Sequence, residues 1–223
     1  ASSNNATGVT GIDWNAKLLP VRVLGKCGGS TSDIIDGIYW AAGLPVSGVP
    51  TNNNPAKVIN MSLGGEGACS SFEQAAIDAA VAAGSTIVVA AGNETVDVSR
   101  SSPANCNNVI AVAATDWNGQ IGVYSNTGNG IDIAAPGGDT FTDTNNNPIN
   151  GGVLSTYNNG TQAANQDVYA RSIGTSMAAP HVAGVVSLML ARNSSLTPAQ
   201  IERTLKSSAR AFPTYGNHFD CTT

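Results

Sequence analysis

Histidine is nearly absent from this chain: His181 and His218 are the only two among 223 residues. Proton transfer near neutral pH therefore has almost no choice of group within it. Charge is scarce as well. Charged residues are 11% of the sequence against 42% apolar, the composition of a globular chain rather than a self-repelling disordered one. The net charge of −5 offers no basic surface for phosphates, so neither nucleic acid nor an anionic membrane is an expected partner. Apolar runs are broken by Gly, Ser or Pro before they reach the roughly 20 residues that a spanning helix needs. The four cysteines, Cys27, Cys69, Cys106 and Cys221, show no Cys-x-x-Cys spacing. That argues against zinc and redox sites and leaves buried thiols or disulfides, with three complete pairings open. The opening Ala-Ser-Ser-Asn-Asn-Ala-Thr has no initiator Met and no signal-peptide pattern, as expected of a processed piece.

What is present is a set of short, unalternating apolar runs separated by helical stretches. Residues 18–24 are predicted as a buried strand and 33–42 as a helix. Strands follow at 57–62, 86–91, 109–114 and 131–135, the last stopped by Pro136, with a helix at 72–83 ended by Gly84. Residues 152–157 and 167–173 read as a hairpin, and Thr197-Pro198 as a helix start. Apolar strands alternating with helices imply a parallel sheet covered on both faces, hence a three-layer α/β/α fold in one domain spanning 1–223. Thr-Asn-Asn-Asn-Pro occurs at both 51–55 and 144–148 and marks loops, and the tail from Phe212 has no periodicity.

The stretch Gly174-Thr175-Ser176-Met177-Ala178-Ala179-Pro180-His181-Val182-Ala183-Gly184 is the most informative. From Met177 to Leu190 no charged residue occurs, which predicts a helix buried on all sides. Pro180 removes the hydrogen bond to the Ser176 carbonyl, a loss tolerated only near a first turn, so the helix is expected to begin close to Ser176. Negative charge developing there is stabilised by unpaired N–H groups and the helix dipole. The plainer alternative is that Ser176 serves only as a cap. Two strands end in Ser62-Leu63-Gly64-Gly65 and Ala90-Ala91-Gly92-Asn93, at the carboxyl edge where open parallel sheets bind ligands. The first suits an extended peptide laid along a sheet edge. In the second, the Asn93 amide is a donor that can point where the Ser176 N–H points. Taken singly, both read better as ordinary turns.

Together and in this order, Ser-Leu-Gly, Ala-Ala-Gly-Asn and Gly-Thr-Ser-Met-Ala-Ala-Pro-His resemble the subtilisin-like serine proteases. The Gly-x-Ser-x-Gly elbow of serine esterases does not fit, because Ala178 stands at its second glycine. The resemblance implies Ser176 as nucleophile, Asn93 as oxyanion donor, Ser62, Leu63 and Gly64 as substrate backbone contacts, and Ala90, Ala91 and Gly92 as a pocket wall. It also implies secretion, a disulfide between Cys69 and Cys106, pairing of Cys27 with an upstream segment outside the chain, and pairing of Cys221 with a downstream one or with nothing. The family's Asp and His motifs are missing, so the fold is expected to be incomplete on its N-terminal side. His181, five positions along the same helix, is turned roughly 140° and lifted ~7.5 Å from Ser176 and cannot serve as its base. His218, in the unpatterned tail, is the lesser candidate; the Asp and His are expected on a companion fragment or on a further part of the same protein, the chain alone being inactive, and the alternative is a noncatalytic peptide-binding remnant. No cofactor enters the chemistry. Asp139 and Asp143 are candidate ligands for a structural calcium, and Glu94 is placed at the pocket rim, where it would favour basic substrate residues.

Overall fold

Strands that are apolar on both sides need a layer above and a layer below, and the helices of this chain supply one each. The computed structural model describes residue 3 and residues 5–142 and 148–212. Along the chain come α1 (Thr31–Ala41), β1 (Val58–Met61), β2 (Gly65–Glu66), α2 (Ser71–Ala82), β3 (Thr86–Ala90), β4 (Ser101–Ser102) and β5 (Ile110–Thr115). After these come β6 (Ile133–Pro136), β7 (Thr140–Thr142), β8 (Pro148–Asn150), β9 (Val153–Asn158), β10 (Asp167–Ser172), α3 (Thr175–Arg192) and α4 (Pro198–Ser208).

The central sheet has the order β1-β3-β5-β6, and every pair in it is parallel. Side chains alternate across a strand, so β3 feeds two cores at once. Ile87, Val89 and the following Ala91 join Ile38 of α1 and Ala76, Ile77 and Ala80 of α2. Val88 and Ala90 join Ala178, Val182 and Val186 of α3 and Ile201 and Leu205 of α4. This is the predicted three-layer α/β/α arrangement. Pro136 ends β6 without disturbing it, because an edge strand tolerates a missing N–H. The hairpin forms as expected, with β9 antiparallel to β10 from Val153↔Ser172 to Asn158↔Asp167.

Capping side chains set the helix starts. The Ser30 hydroxyl accepts from Asp33 N, so α1 begins at Thr31, two residues before the predicted start. Reciprocal capping boxes, Ser70 with Glu73 and Thr197 with Gln200, open α2 and α4.

Two expectations fail. Residues 18–24 form no strand, with Leu18 89% exposed and Leu24 43% exposed. A strand exists only where a neighbour takes its N–H and C=O groups, and no strand beside this segment does so among the described residues. Helix α3 is buried on one stripe only, through Thr175, Ala178, Ala179, Val182 and Val186, while Val185 and Leu188 are 38% and 44% exposed. It lies over one face of the sheet, and a single layer covers only one side of a helix. Part of its outer face meets residues 12 and 13. Ile12 lies against Gly184, and Ser187 Oγ donates to Asp13 Oδ2 at 2.6 Å, a contact that holds the Asp13 carboxyl below its ordinary range.

Cys69 and Cys106 form a disulfide with Cα atoms 5.2 Å apart. Cys27 is exposed and has no disulfide partner among the described residues, and Cys221 lies outside them. The bridge closes a separation of 37 residues, so replacing both cysteines by Ser should lower the unfolding free energy by about 3–4 kcal/mol. Urea denaturation of the oxidised protein and the double variant measures the difference.

Candidate active site

The parallel sheet directs the carboxyl ends of β1 and β3 toward one place, and the start of α3 lies there. The N-cap of α3 is Gly174, which makes no side-chain hydrogen bond. Its φ of +148° is open to glycine and strained for other residues. Ser176 is the second residue inside the helix and its hydroxyl caps nothing, so the capping alternative is excluded. Pro180 lies within α3 and has no N–H for the Ser176 carbonyl. That carbonyl accepts from Ser62 Oγ at 2.8 Å instead, and Asn60 Nδ2 donates to Ser62 Oγ at 2.9 Å. The Ser176 hydroxyl, half-exposed, makes one long contact, donating to Ser62 O at 3.4 Å.

Of the first N–H groups of α3, that of Thr175 donates to Asn93 Oδ1 at 2.8 Å, and those of Met177 and Ala178 donate to Gly174 O. The Ser176 N–H has no acceptor among the described residues. Thr175, wholly buried, also donates from Oγ1 to Asn93 Oδ1 at 3.0 Å, while Gly92 N donates to Thr175 Oγ1 at 3.1 Å. Two donors on one atom fix it as the amide oxygen, and the NH₂ of Asn93 has no partner among the described residues. A Cβ placed on Gly174 would lie 3.7 Å from Asn93 Nδ2 and 3.7 Å from Ser176 N. The Asn93 Nδ2 and the Ser176 N–H therefore border one small space at the Gly174 turn, next in sequence to a hydroxyl held by only one long contact.

The family model that matches is the Subtilase family, over residues 1–220. The chain belongs to the subtilase family. It is 55% identical to the extracellular protease of Xanthomonas campestris pv. campestris, across 96% of this chain and 35% of that protein. It is 46% identical to the extracellular basic protease of Dichelobacter nodosus, across 95% of this chain and 34% of that protein. A solved protease structure from Pseudoalteromonas arctica PAMC 21717 superposes with a TM-score of 0.89 at 51% identity, covering 98% of this chain and 63% of that one. The fold is thus subtilisin-like, and this subtilase chain spans about a third of the length of the two curated relatives.

Other residues singled out from the subtilase sequence are placed as follows. Leu63 packs partly into the core under α1 and α2. A Cβ on Gly64 would lie 2.9 Å from Ser102 O, so the backbone that approaches Gly64 is the chain's own; Gly65 faces open space. Ala90 and Ala91 are buried on opposite faces of the sheet, and Gly92 is the first of the three to reach the surface. Glu94 Oε2 accepts from Asn93 N at 2.8 Å and from Asn126 Nδ2 at 2.9 Å. His181 is half-buried, its Nδ1 2.8 Å from Met177 O, and it is not brought to Ser176. His218 lies outside the described residues.

The calcium expectation rested on Asp139 and Asp143. Asp139 is 4% exposed and its carboxylate accepts from Thr140 N and Val123 N, while Asp143 lies outside the described residues. No group of three His, Cys, Asp or Glu that could hold a metal occurs among the described residues. Among the described residues no helix is long and apolar enough to cross a membrane.

Behind the Gly174 turn, Gly174 N donates to Gly137 O at 3.0 Å and Tyr124 OH donates to Gly138 O at 2.6 Å. Burial, with the Asp139 carboxylate beside it, pushes the Tyr124 hydroxyl up to about 12. Sequence reasoning missed Tyr124 and Asn126, which no local pattern marks. It quoted Thr175 without a role, although its position next to the nucleophile was a usable signal.

Two consequences are measurable. Thr175→Val removes a buried hydroxyl that both donates and accepts, so it should cost about 1–3 kcal/mol of stability, while Thr175→Ser retains most of it; thermal unfolding compares them. The raised Tyr124 group is neutral in both states below about 10, so its contribution is complete there. Between about 10 and about 12 the unfolded chain ionises first and stability falls. Tyr124→Phe should flatten that alkaline loss in urea titrations run across the range.

Proposed function

We propose that this chain is the serine-bearing part of a secreted serine endopeptidase. The supporting observation is the small space bordered by the Ser176 N–H and the Asn93 amide, beside a hydroxyl that caps nothing. Ser176 Oγ attacks the peptide carbonyl carbon and the carbonyl oxygen becomes the oxyanion held by those two donors. A His oriented by an Asp takes the hydroxyl proton and passes it to the leaving amine, forming the acyl-enzyme; water then releases the acid by the same route. Ser62, Leu63 and Gly64 with open Gly65 offer the edge along which the substrate backbone lies.

The Asp and His come from a segment outside this chain, a companion fragment, because the one described histidine is turned into its own helix. Alone, the chain is inactive. The names of the Xanthomonas and Dichelobacter proteins and the Cys69–Cys106 disulfide support an extracellular setting. The competing reading, a noncatalytic peptide-binding domain, is favoured by the same lack of a described base.

Fluorophosphonate treatment of the intact source protein separates the two. The expected result is a label on Ser176, with Asn93→Ala lowering turnover by about two to three powers of ten and leaving KM little changed. Peptide binding without any label supports the noncatalytic domain instead.

A further inference from the structure

Asn126 has no exposed surface, and the chemistry above does not use it. Its side-chain hydrogen bonds, and that of its N–H, all go to one loop. Oδ1 accepts from Glu94 N at 3.0 Å and Val96 N at 3.1 Å. Nδ2 donates to Ala91 O and Glu94 Oε2, both at 2.9 Å, and its own N–H donates to Gly92 O at 3.1 Å. Residues 91–96, the loop that carries Asn93, are thus fastened to one buried amide from the far side of β5. Glu94 completes the fastening, because the oxygen that Asn126 holds also accepts the Asn93 N–H at 2.8 Å.

We propose that Asn126, acting with Glu94, is a positioning residue for the Asn93 amide: the pair fixes the Asn93 backbone from one side while Thr175 fixes its side-chain oxygen from the other. This rests on the protease reading, since an amide needs such fixing only if its NH₂ must meet an oxyanion without reorganising. The chemistry requires an amide at 126. Asp presents oxygen to the Ala91 carbonyl and to the Glu94 carboxylate, and an apolar side chain leaves two N–H groups and a carbonyl unpaired. It also explains why Glu94, exposed on the surface, turns its carboxylate back onto the chain rather than outward.

The test is a double-mutant cycle on the intact active protein, with turnover of an uncharged peptide amide counted per fluorophosphonate-titrated Ser176. Asn126→Asp should lower kcat by about ten- to a hundredfold with KM changed less than about threefold. In an Asn93→Ala background the same substitution should cost less than about twofold, because the group it positions is gone. A residue that only stabilises the fold would give equal losses in both backgrounds, and that result, or unchanged kcat in Asn126→Asp, overturns the proposal. If Asn126→Asp does not fold, Glu94→Ala runs through the same cycle with the same expected non-additivity and the same overturning result. Absence of label in the unsubstituted protein refutes the protease reading and this proposal with it. A labelled parent with additive losses refutes the positioning role alone.

Discussion

One contact joins the two halves of the site: the oxygen of the Asn93 amide accepting from both the N–H and the hydroxyl of Thr175, across 82 residues. Without it, the end of β3 and the start of α3 keep only the bond from Gly92 N to Thr175 Oγ1, which does not orient the amide. With it, the amide has one orientation, the first N–H of the helix is spent on positioning, and the second, that of Ser176, is left over. The contact is buried, where an unpaired hydroxyl or amide oxygen is costly, so the geometry is held by a penalty for breaking it as much as by the bonds themselves.

A second linkage runs through a missing group. Pro180 has no N–H, so the Ser176 carbonyl turns to the Ser62 hydroxyl, and that hydroxyl is itself held by Asn60. The end of β1 is thereby fastened to the nucleophile's own backbone. Both linkages depend on parallel strands: they put the carboxyl ends of β1 and β3 on the same edge, and a helix returning over that face begins beside them. Asn126, at the turn beyond β5, reaches the same loop from behind, so the sheet's third strand contributes as well.

Much of this was legible. The double-faced apolar runs at β3 and β5 required two covering layers, and Thr197 followed by Pro198 announced a helix start through chemistry local to two residues. Residues 18–24 were misread because apolar character reports a preference for burial, whereas a strand needs a partner that no local pattern supplies. The outer face of α3 was misread for a related reason. The absence of charge shows that a face tolerates burial and says nothing of what covers it, here Ile12 beside Gly184 at one point and little at Val185 and Leu188.

The sequence alone determined the identities and order of the groups: the hydroxyl after a glycine turn, the proline that frees its carbonyl, the asparagine at a strand end and the layered sheet. These are short-range consequences of side-chain volume, backbone freedom and hydrogen-bonding type. Only the tertiary structure decided which donors are spent and which remain, that Gly64 is crowded by its own chain and Gly65 is not, and that Glu94 faces inward toward Asn126. Those outcomes depend on pairs separated by about thirty to more than a hundred residues, and a hydrogen bond at such separation is set by where the sheet brings the two ends, which neither residue encodes by itself.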